Sequence, residues 1–300
     1  MVERLVANEK VEGSTPFARS KQMIIWIASY PKSGNTYIRS FLSAYYFSQK
    51  GKFEFDQLLN IFQFPGTKFS KKDCFSFEDA AKNWIYNQNQ FFNKEKFVFL
   101  KTHNTLKRYK NIEFTTNKET AGAIYIVRDP RNIISSMCHH YSLNLNQAYE
   151  TLVNNDASLS EKSVNGDCSN FTFLSSWADH YKSWKETKKF KVLIIKYEEL
   201  RNNKEKIFRE IIQFVNNLKL EKDIINEKKF LNAIKSTNFV NLKNKELNEK
   251  FDETVYSNDG KKINFFNLGF KNKWQNLLPR DMIDKINNSF KKELLDLNYN

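Results

Sequence analysis

Residues 23–49 read MIIWIASYPKSGNTYIRSFLSAYYFSQ, and this stretch decides the fold. Met23–Tyr30 is a short β-branched and aromatic run without polar alternation, the pattern of a strand buried on both faces of a parallel sheet. It stops at Pro31 and Gly34. Beyond Asn35 the period changes, and Tyr37, Ile38, Phe41, Leu42, Tyr45 and Tyr46 fall at helical spacing. The residues between therefore form a strand–loop–helix junction. Such a junction aims backbone N–H groups at one point, where the helix dipole adds partial positive charge. Gly34 lets the backbone approach an oxyanion closely. Lys32 supplies a mobile point charge, and Ser33, Asn35 and Thr36 supply neutral donors. The loop suits a phosphate or a sulfate. Its lysine precedes the glycine, so the triphosphate pattern G-x-x-x-x-G-K-[ST] is absent. The same residue types also build ordinary surface turns.

A second stretch strengthens the reading. AGAIYIVRDPRNIISSMCHHY (121–141) is again a strand, a break and a helix. Asp129 suits the helix cap and Pro130 its first turn. Arg128 stands at a strand's C-terminal end, where ligands bind in open α/β sheets. Ser136 lies two turns into the helix, on a side able to face the same crevice. An arginine grips a phosphate in bidentate fashion; the competing reading is a capping ion pair between Asp129 and a neighbouring arginine. Two anion cradles suit the two ends of a ligand with two anionic groups.

Two further strands follow from KFVFLKTH (96–103) and KVLIIKYEEL (191–200). Helices are expected over 171–187, with Phe171, Leu174, Trp177, Tyr181 and Trp184 on one face, and over 203–217, 222–235 and 279–297. Alternating strands and helices predict an α/β fold: a single domain over 23–300, with a mainly parallel central sheet flanked by helices and a P-loop-like strand–loop–helix nucleotide site. Residues 140–170 and 240–265 are polar, Asn-rich excursions suited to covering a site. Residues 1–22 show no sustained period and read as a tail, or as an extension ahead of a natural start at Met23.

The net charge of +14 over 300 residues fits an anionic ligand or simply a solvated surface. No dense basic block stands out, so nucleic acid is not the expected partner. Cys74, Cys138 and Cys168 are odd in number and lack a C-x-x-C pair, which argues against a disulfide framework or a zinc site and for a cytoplasmic location. The apolar run Met23–Tyr30 is far too short to span a bilayer. Phe62, Phe64, Phe69, Phe75, Phe77, Trp84, Phe91 and Phe92 crowd one region, mostly as core, with a few available to line an apolar pocket.

Taken in order, these pieces resemble the sulfotransferases that use 3'-phosphoadenosine 5'-phosphosulfate (PAPS). YPKSGNTY looks like the family's 5'-phosphosulfate loop, and IVRDPRNIISS like its 3'-phosphate motif. FLKTHN resembles the strand end with the catalytic histidine, IIKYEEL the Tyr–Glu–Asp strand end, STNF the segment beside adenine, and FFNLGFKNKWQNLL the C-terminal Gly-and-Trp segment. The resemblance implies that Lys32, Ser33, Gly34, Asn35 and Thr36 hold the 5'-phosphosulfate, with Tyr37 standing where the family has Trp. It implies that Arg128 and Ser136 hold the 3'-phosphate, and that Tyr197, Thr237 and Phe239 contact the adenosine. Many members carry Arg-Lys before the C-terminal glycine. Here Asn267 and Leu268 precede Gly269, which leaves Lys271 or Lys273 as substitutes. His103 would be the base, with Lys32 and Lys101 stabilising charge on the bridging and sulfuryl oxygens. His139 and His140 compete as acceptor-pocket residues, whereas His180 reads as a surface position on an amphipathic helix. Without the resemblance, His103 reads as a hydrogen-bonded histidine at a strand edge. Transfer in line to a hydroxyl or amine is implied, with no metal and a small-molecule, lipid or glycan acceptor. The rival readings are a P-loop-type nucleotide-dependent kinase and a non-enzymatic basic module that binds polyanions.

Overall fold

The computed structural model describes residues 22–66, 74–90, 96–160, 167–222, 224–256 and 259–299. Residues 1–21 of the expected tail, together with Phe69, Phe91 and Phe92, lie outside the described residues. In chain order the first half contains β1 (Met23–Ser29), α1 (Asn35–Phe47), β2 (Phe62–Gln63), α2 (Phe77–Lys82), α3 (Trp84–Gln88), β3 (Phe97–Thr102), β4 (Thr120–Val127), α4 (Pro130–Tyr141) and α5 (Leu145–Val153). A hairpin of β5 (Ser158–Leu159) and β6 (Thr172–Phe173) follows, then α6 (Trp177–Lys185), β7 (Lys191–Lys196), α7 (Leu200–Lys219), α8 (Glu227–Ser236) and α9 (Phe239–Asn248). A second small hairpin of β8 (Val255–Tyr256) and β9 (Lys262–Ile263) leads to α10 (Trp274–Leu277), α11 (Arg280–Ser289) and α12 (Lys291–Asp296).

The central sheet runs β2-β3-β1-β4-β7, every pair parallel. The chain leaves β1 toward β2 and β3, then crosses to β4 and β7 on the other side. β1 is therefore the point where strand order reverses, and the crevice beyond its C-terminal end is where ligands bind in such sheets. β1 lacks polar alternation because both its faces are covered. Ile25 and Ile27 pack with Ile38 and Phe41 of α1 and Phe208 of α7. Trp26 and Ala28 pack on the opposite face with Ile133 of α4 and Trp177 and Trp184 of α6. Each such fully buried large apolar side chain contributes roughly 1.5–3 kcal/mol.

Three expectations are corrected. The helix over 171–187 begins only at Trp177: Ser176 caps it by accepting from the Asp179 N–H, Ser175 has φ 58°, and Thr172–Phe173 is taken into the β5–β6 hairpin. Phe171 and Leu174 are still buried, but from an extended backbone. The helix over 279–297 breaks at Phe290, which has φ −119° and ψ 23° and divides α11 from α12. The polar excursions hold α5, capped by Asn144 within the first, and most of α9, whose cap Asn238 lies just ahead of the second. Among the crowded aromatics, Phe64 and Trp84 are core, whereas Phe75 and Phe77 are exposed. Among the described residues no helix is long and apolar enough to cross a membrane.

Candidate active site

The loop after β1 is held open by its own backbone. Lys32 takes φ 65° and Gly34 φ 95°, and Gly34 stands at the N-cap of α1, where no side chain caps the helix. The first N–H groups of α1 are thus free for an anion. A Cβ on Gly34 would lie 2.3 Å from Tyr197 Cδ2, so only glycine fits there. The Asn35 Nδ2 donates to the Ile27 carbonyl at 3.0 Å and to Ser29 Oγ at 3.2 Å, tying the loop to β1. Ser33 is fully buried and its hydroxyl has no partner among the described residues.

Arg128, at the end of β4, reaches across to this loop. Its Nη1 donates to the Lys32 carbonyl at 2.7 Å, its guanidinium lies 4.6 Å from the Tyr197 ring centre, and its buried Nε has no partner. The capping ion pair also exists, but it belongs to Arg131, which grips Asp129 through both Nε and Nη2 and stacks on Trp274. Arg128 is thereby left to the crevice.

His103 follows β3, the neighbour of β1. Its Nδ1 lies 2.8 Å from the Ser29 carbonyl, an atom that only accepts, so Nδ1 carries the proton and Nε2 keeps its lone pair. Burial, reinforced by the Lys101 ammonium, pushes the imidazole down to about 3, so the ring is neutral near pH 7. His180, expected at the surface, is instead fully buried. Its Nε2–H donates to the His103 carbonyl at 3.0 Å, and its Nδ1 accepts from the Tyr125 hydroxyl at 2.9 Å. The signal was present: Trp177, His180, Tyr181 and Trp184 are spaced for one helix face, and that face is inward.

Sequence reasoning missed Glu253 and Arg39. The Glu253 carboxylate accepts from Thr36 Oγ1 at 2.8 Å, from Lys101 Nζ at 3.3 Å and from Arg39 Nη1. One carboxylate thus joins the segment after α9 to α1 and β3. Lys101 and Arg39 hold it well below the usual carboxylate range despite burial. No signal marks Glu253 in the sequence. Arg39 has one: it is the lone charge between Lys32 and Lys50, on a helix buried all round from Asn35 to Tyr45. Lys32 packs its ammonium 4.4 Å from the Phe265 ring centre. Burial lowers its pKa to about 7; Glu253 opposes the fall, while Lys101 and Arg128 add to it.

These groups meet in one cavity of about 550 Å³. Lys32, Gly34, Asn35, Thr36 and Tyr37 line it from the first corner; Arg128 and Ser136 line it from the second. Lys101 contributes from β3 and His103 from just beyond it, with Tyr197 after β7, Phe239 at the start of α9 and Gly269 after β9. His139 and His140 line it too. Three expected residues do not. Ser33 is fully buried, Thr237 is buried with its hydroxyl on the Ala233 carbonyl, and Lys271 is exposed outside the cavity. Asn267 and Leu268 do line it.

Residues 23–298 match the family model described as the sulfotransferase domain. The chain belongs to the sulfotransferase family. Among solved structures, mouse sulfotransferase SULT7A1 complexed with PAP is similar at 17% identity and a TM-score of 0.57, covering 91% of this chain and 84% of that one. Retinol dehydratase in a complex with retinol and PAP is similar at 18% identity and a TM-score of 0.56, covering 90% and 81%. At these identities the likeness is one of fold. No curated protein sequence matches the chain. The sulfotransferase fold accounts for the chain from Met23 onward, and the cavity lies at its sheet's topological switch point.

Proposed function

We propose that the protein moves a sulfuryl group from PAPS to an acceptor hydroxyl or amine, with His103 as the base. The observation that carries this reading is the meeting of Lys32, Arg128 and His103 at the C-terminal ends of three adjacent strands, around one cavity. The open N-terminus of α1 and Lys32 suit the 5'-phosphosulfate. The unpartnered Nε of Arg128, with Ser136, suits the 3'-phosphate. Tyr197 and Phe239 offer aromatic walls for adenine.

In the reaction, Nε2 of His103 takes the proton of the acceptor hydroxyl as its oxygen bonds to sulfur. The bond from sulfur to the bridging phosphate oxygen breaks, and its electron pair leaves with 3'-phosphoadenosine 5'-phosphate (PAP). The Ser29 carbonyl holds the imidazole in the one tautomer able to do this. The donor's negative charge opposes the burial effects on His103 and Lys32 and raises both pKa values in the complex, toward a useful base and a charged lysine. Lys32 and Lys101 then face the charge on the departing and sulfuryl oxygens, a role typically worth about 3 kcal/mol. Cysteines held as thiols rather than in disulfides suit a cytoplasmic setting.

Parallel thermal shifts with PAP, ATP–Mg²⁺ and a polyanion test the reading: PAP alone should raise Tm markedly. His103→Ala should lose turnover by about 10²–10⁴ while retaining PAP affinity. A protein stabilised only by ATP–Mg²⁺, or a His103→Ala variant of normal turnover, would overturn it.

A further inference from the structure

The acceptor side of the cavity has a chemistry of its own. Its wall is built by the short edge strand β2, the β5–β6 hairpin and the segment that carries Glu253. From these come Gln63, Ser160, Asn170, Thr172 and the Glu253 carboxylate, with His140 entering from α4. Gln63 sits beside Lys101 in the strand register, one strand further out than His103's own.

Much of the hydrogen-bonding capacity here is unused. The Gln63 amide makes no hydrogen bond among the described residues. Asn170 Oδ1 accepts from Ser160 Oγ at 3.2 Å, which leaves both Nδ2 protons. The buried Nδ1 of His140 has no partner. Oε1 of Glu253 serves Arg39 and Lys101 while Oε2 serves only Thr36. By the lone-pair inventory of a carboxylate, one further donor can be accepted. The Glu253 side chain is 25% exposed, so that capacity is reachable.

Apolar side chains share the cavity: Tyr141, Leu159, Val255, Phe265, Phe266 and Leu268 also line it. None of the described aromatics in residues 61–92 lines this cavity. The Phe265 ring already faces the Lys32 ammonium.

We infer that the acceptor is a hydroxyl-rich polar molecule of the sugar or polyol class, an inference that rests on the sulfuryl-transfer reading above. A polyol donates to the Glu253 carboxylate and accepts from the Gln63 and Asn170 amides while a neighbouring hydroxyl meets His103. That hydroxyl gives its proton to Nε2 and its oxygen to sulfur; the products are a sulfate ester and PAP. An apolar alcohol or phenol would cover the same amides and carboxylate without replacing their water. Sites built around hydrogen-bonding groups reject analogues that lack the partner by up to about 10⁴-fold.

The test uses the full chain, sulfur-labelled PAPS and two acceptor panels: methyl glycosides, inositol and short oligosaccharides against 4-nitrophenol, a long-chain alcohol and a sterol. PAP binding is followed by calorimetry in parallel. At least one polyol should exceed every apolar acceptor by 100-fold in kcat/KM. Gln63→Leu and Asn170→Leu should each raise KM for that polyol about tenfold or more, with PAP affinity within twofold. If PAP binds but no polyol is sulfated, or the phenol or sterol is preferred, this inference is overturned and the sulfuryl-transfer reading stands. Absence of both PAP binding and transfer to any acceptor overturns that reading, and the inference with it.

Discussion

The two strand-to-helix corners look alike in sequence and differ in structure. After β1, α1 begins at a glycine with no side-chain cap, and its N-terminal donors stay open. After β4, α4 is capped by Asp129, which accepts from the Arg131 N–H and is itself gripped by the Arg131 side chain. The first corner offers backbone donors to a ligand. The second has spent those donors on its own cap and offers a side chain, Arg128. Equal motifs of strand, basic residue and helix can therefore build an anion cradle or an anchored arm. The residue at the cap decides which.

Substitutions should separate the corners. The largest effect is expected from Gly34→Ala, which forces a Cβ against the Tyr197 ring and sets an unfavourable φ. PAP affinity should fall more than 100-fold by calorimetry, while far-ultraviolet circular dichroism stays native. Retained affinity would show that the first corner is not the cradle. Asp129→Ala should act on stability instead. It removes the carboxylate partner of the Arg131 guanidinium, whose side chain is 3% exposed, and should cost about 3 kcal/mol in denaturant melts, the range for breaking a buried ion pair. Should it chiefly weaken PAP binding, the contrast between the corners fails. Arg128→Gln comes next, with PAP affinity down roughly 10–100-fold, because hydrogen bonds to charged groups contribute about 1.5–3 kcal/mol; the melt should barely move. The smallest effect is a pH dependence at the first corner. Lys32 titrates at about 7 in the free protein, and an anionic ligand raises that value. Above pH 7, binding must therefore take up a proton, and PAP affinity should fall by up to tenfold per unit as pH rises. Calorimetry in buffers of different ionisation heats would detect the uptake. A flat profile from pH 7 to 9 would mean that Lys32 stays charged or does not face the anion.

Much of this was legible because its signals are local. The apolar runs of β1, β3, β4 and β7 announce strands buried on both faces, and the changes of period at Asn35 and Pro130 place the corners. β2 has two residues and no pattern to read. The start of α6 was missed because Phe171 and Leu174 extend the helical spacing backwards, and the Ser176 cap overrides it. Glu253 was invisible for a different reason. Its meaning lies in Thr36, Arg39 and Lys101, which only the folded chain brings to it, and no periodicity encodes such a return. Lys271 follows Gly269 in the segment that resembles the family's C-terminal motif, but it sits in a short 3-10 turn and is exposed outside the cavity.

Lys32 holds a left-handed turn that L side chains adopt at a cost, and it buries an ammonium among other cations. The packing of β1 against α1 rests instead on Ile25, Ile27, Ile38 and Phe41. A descendant of this chain released from sulfuryl transfer would have no reason to keep that residue. Glycine or asparagine, which enter such turns more easily, would settle there while β1 and α1 persisted. In genomes, the wreckage of this activity should be recognisable at that one codon before the architecture around it has changed.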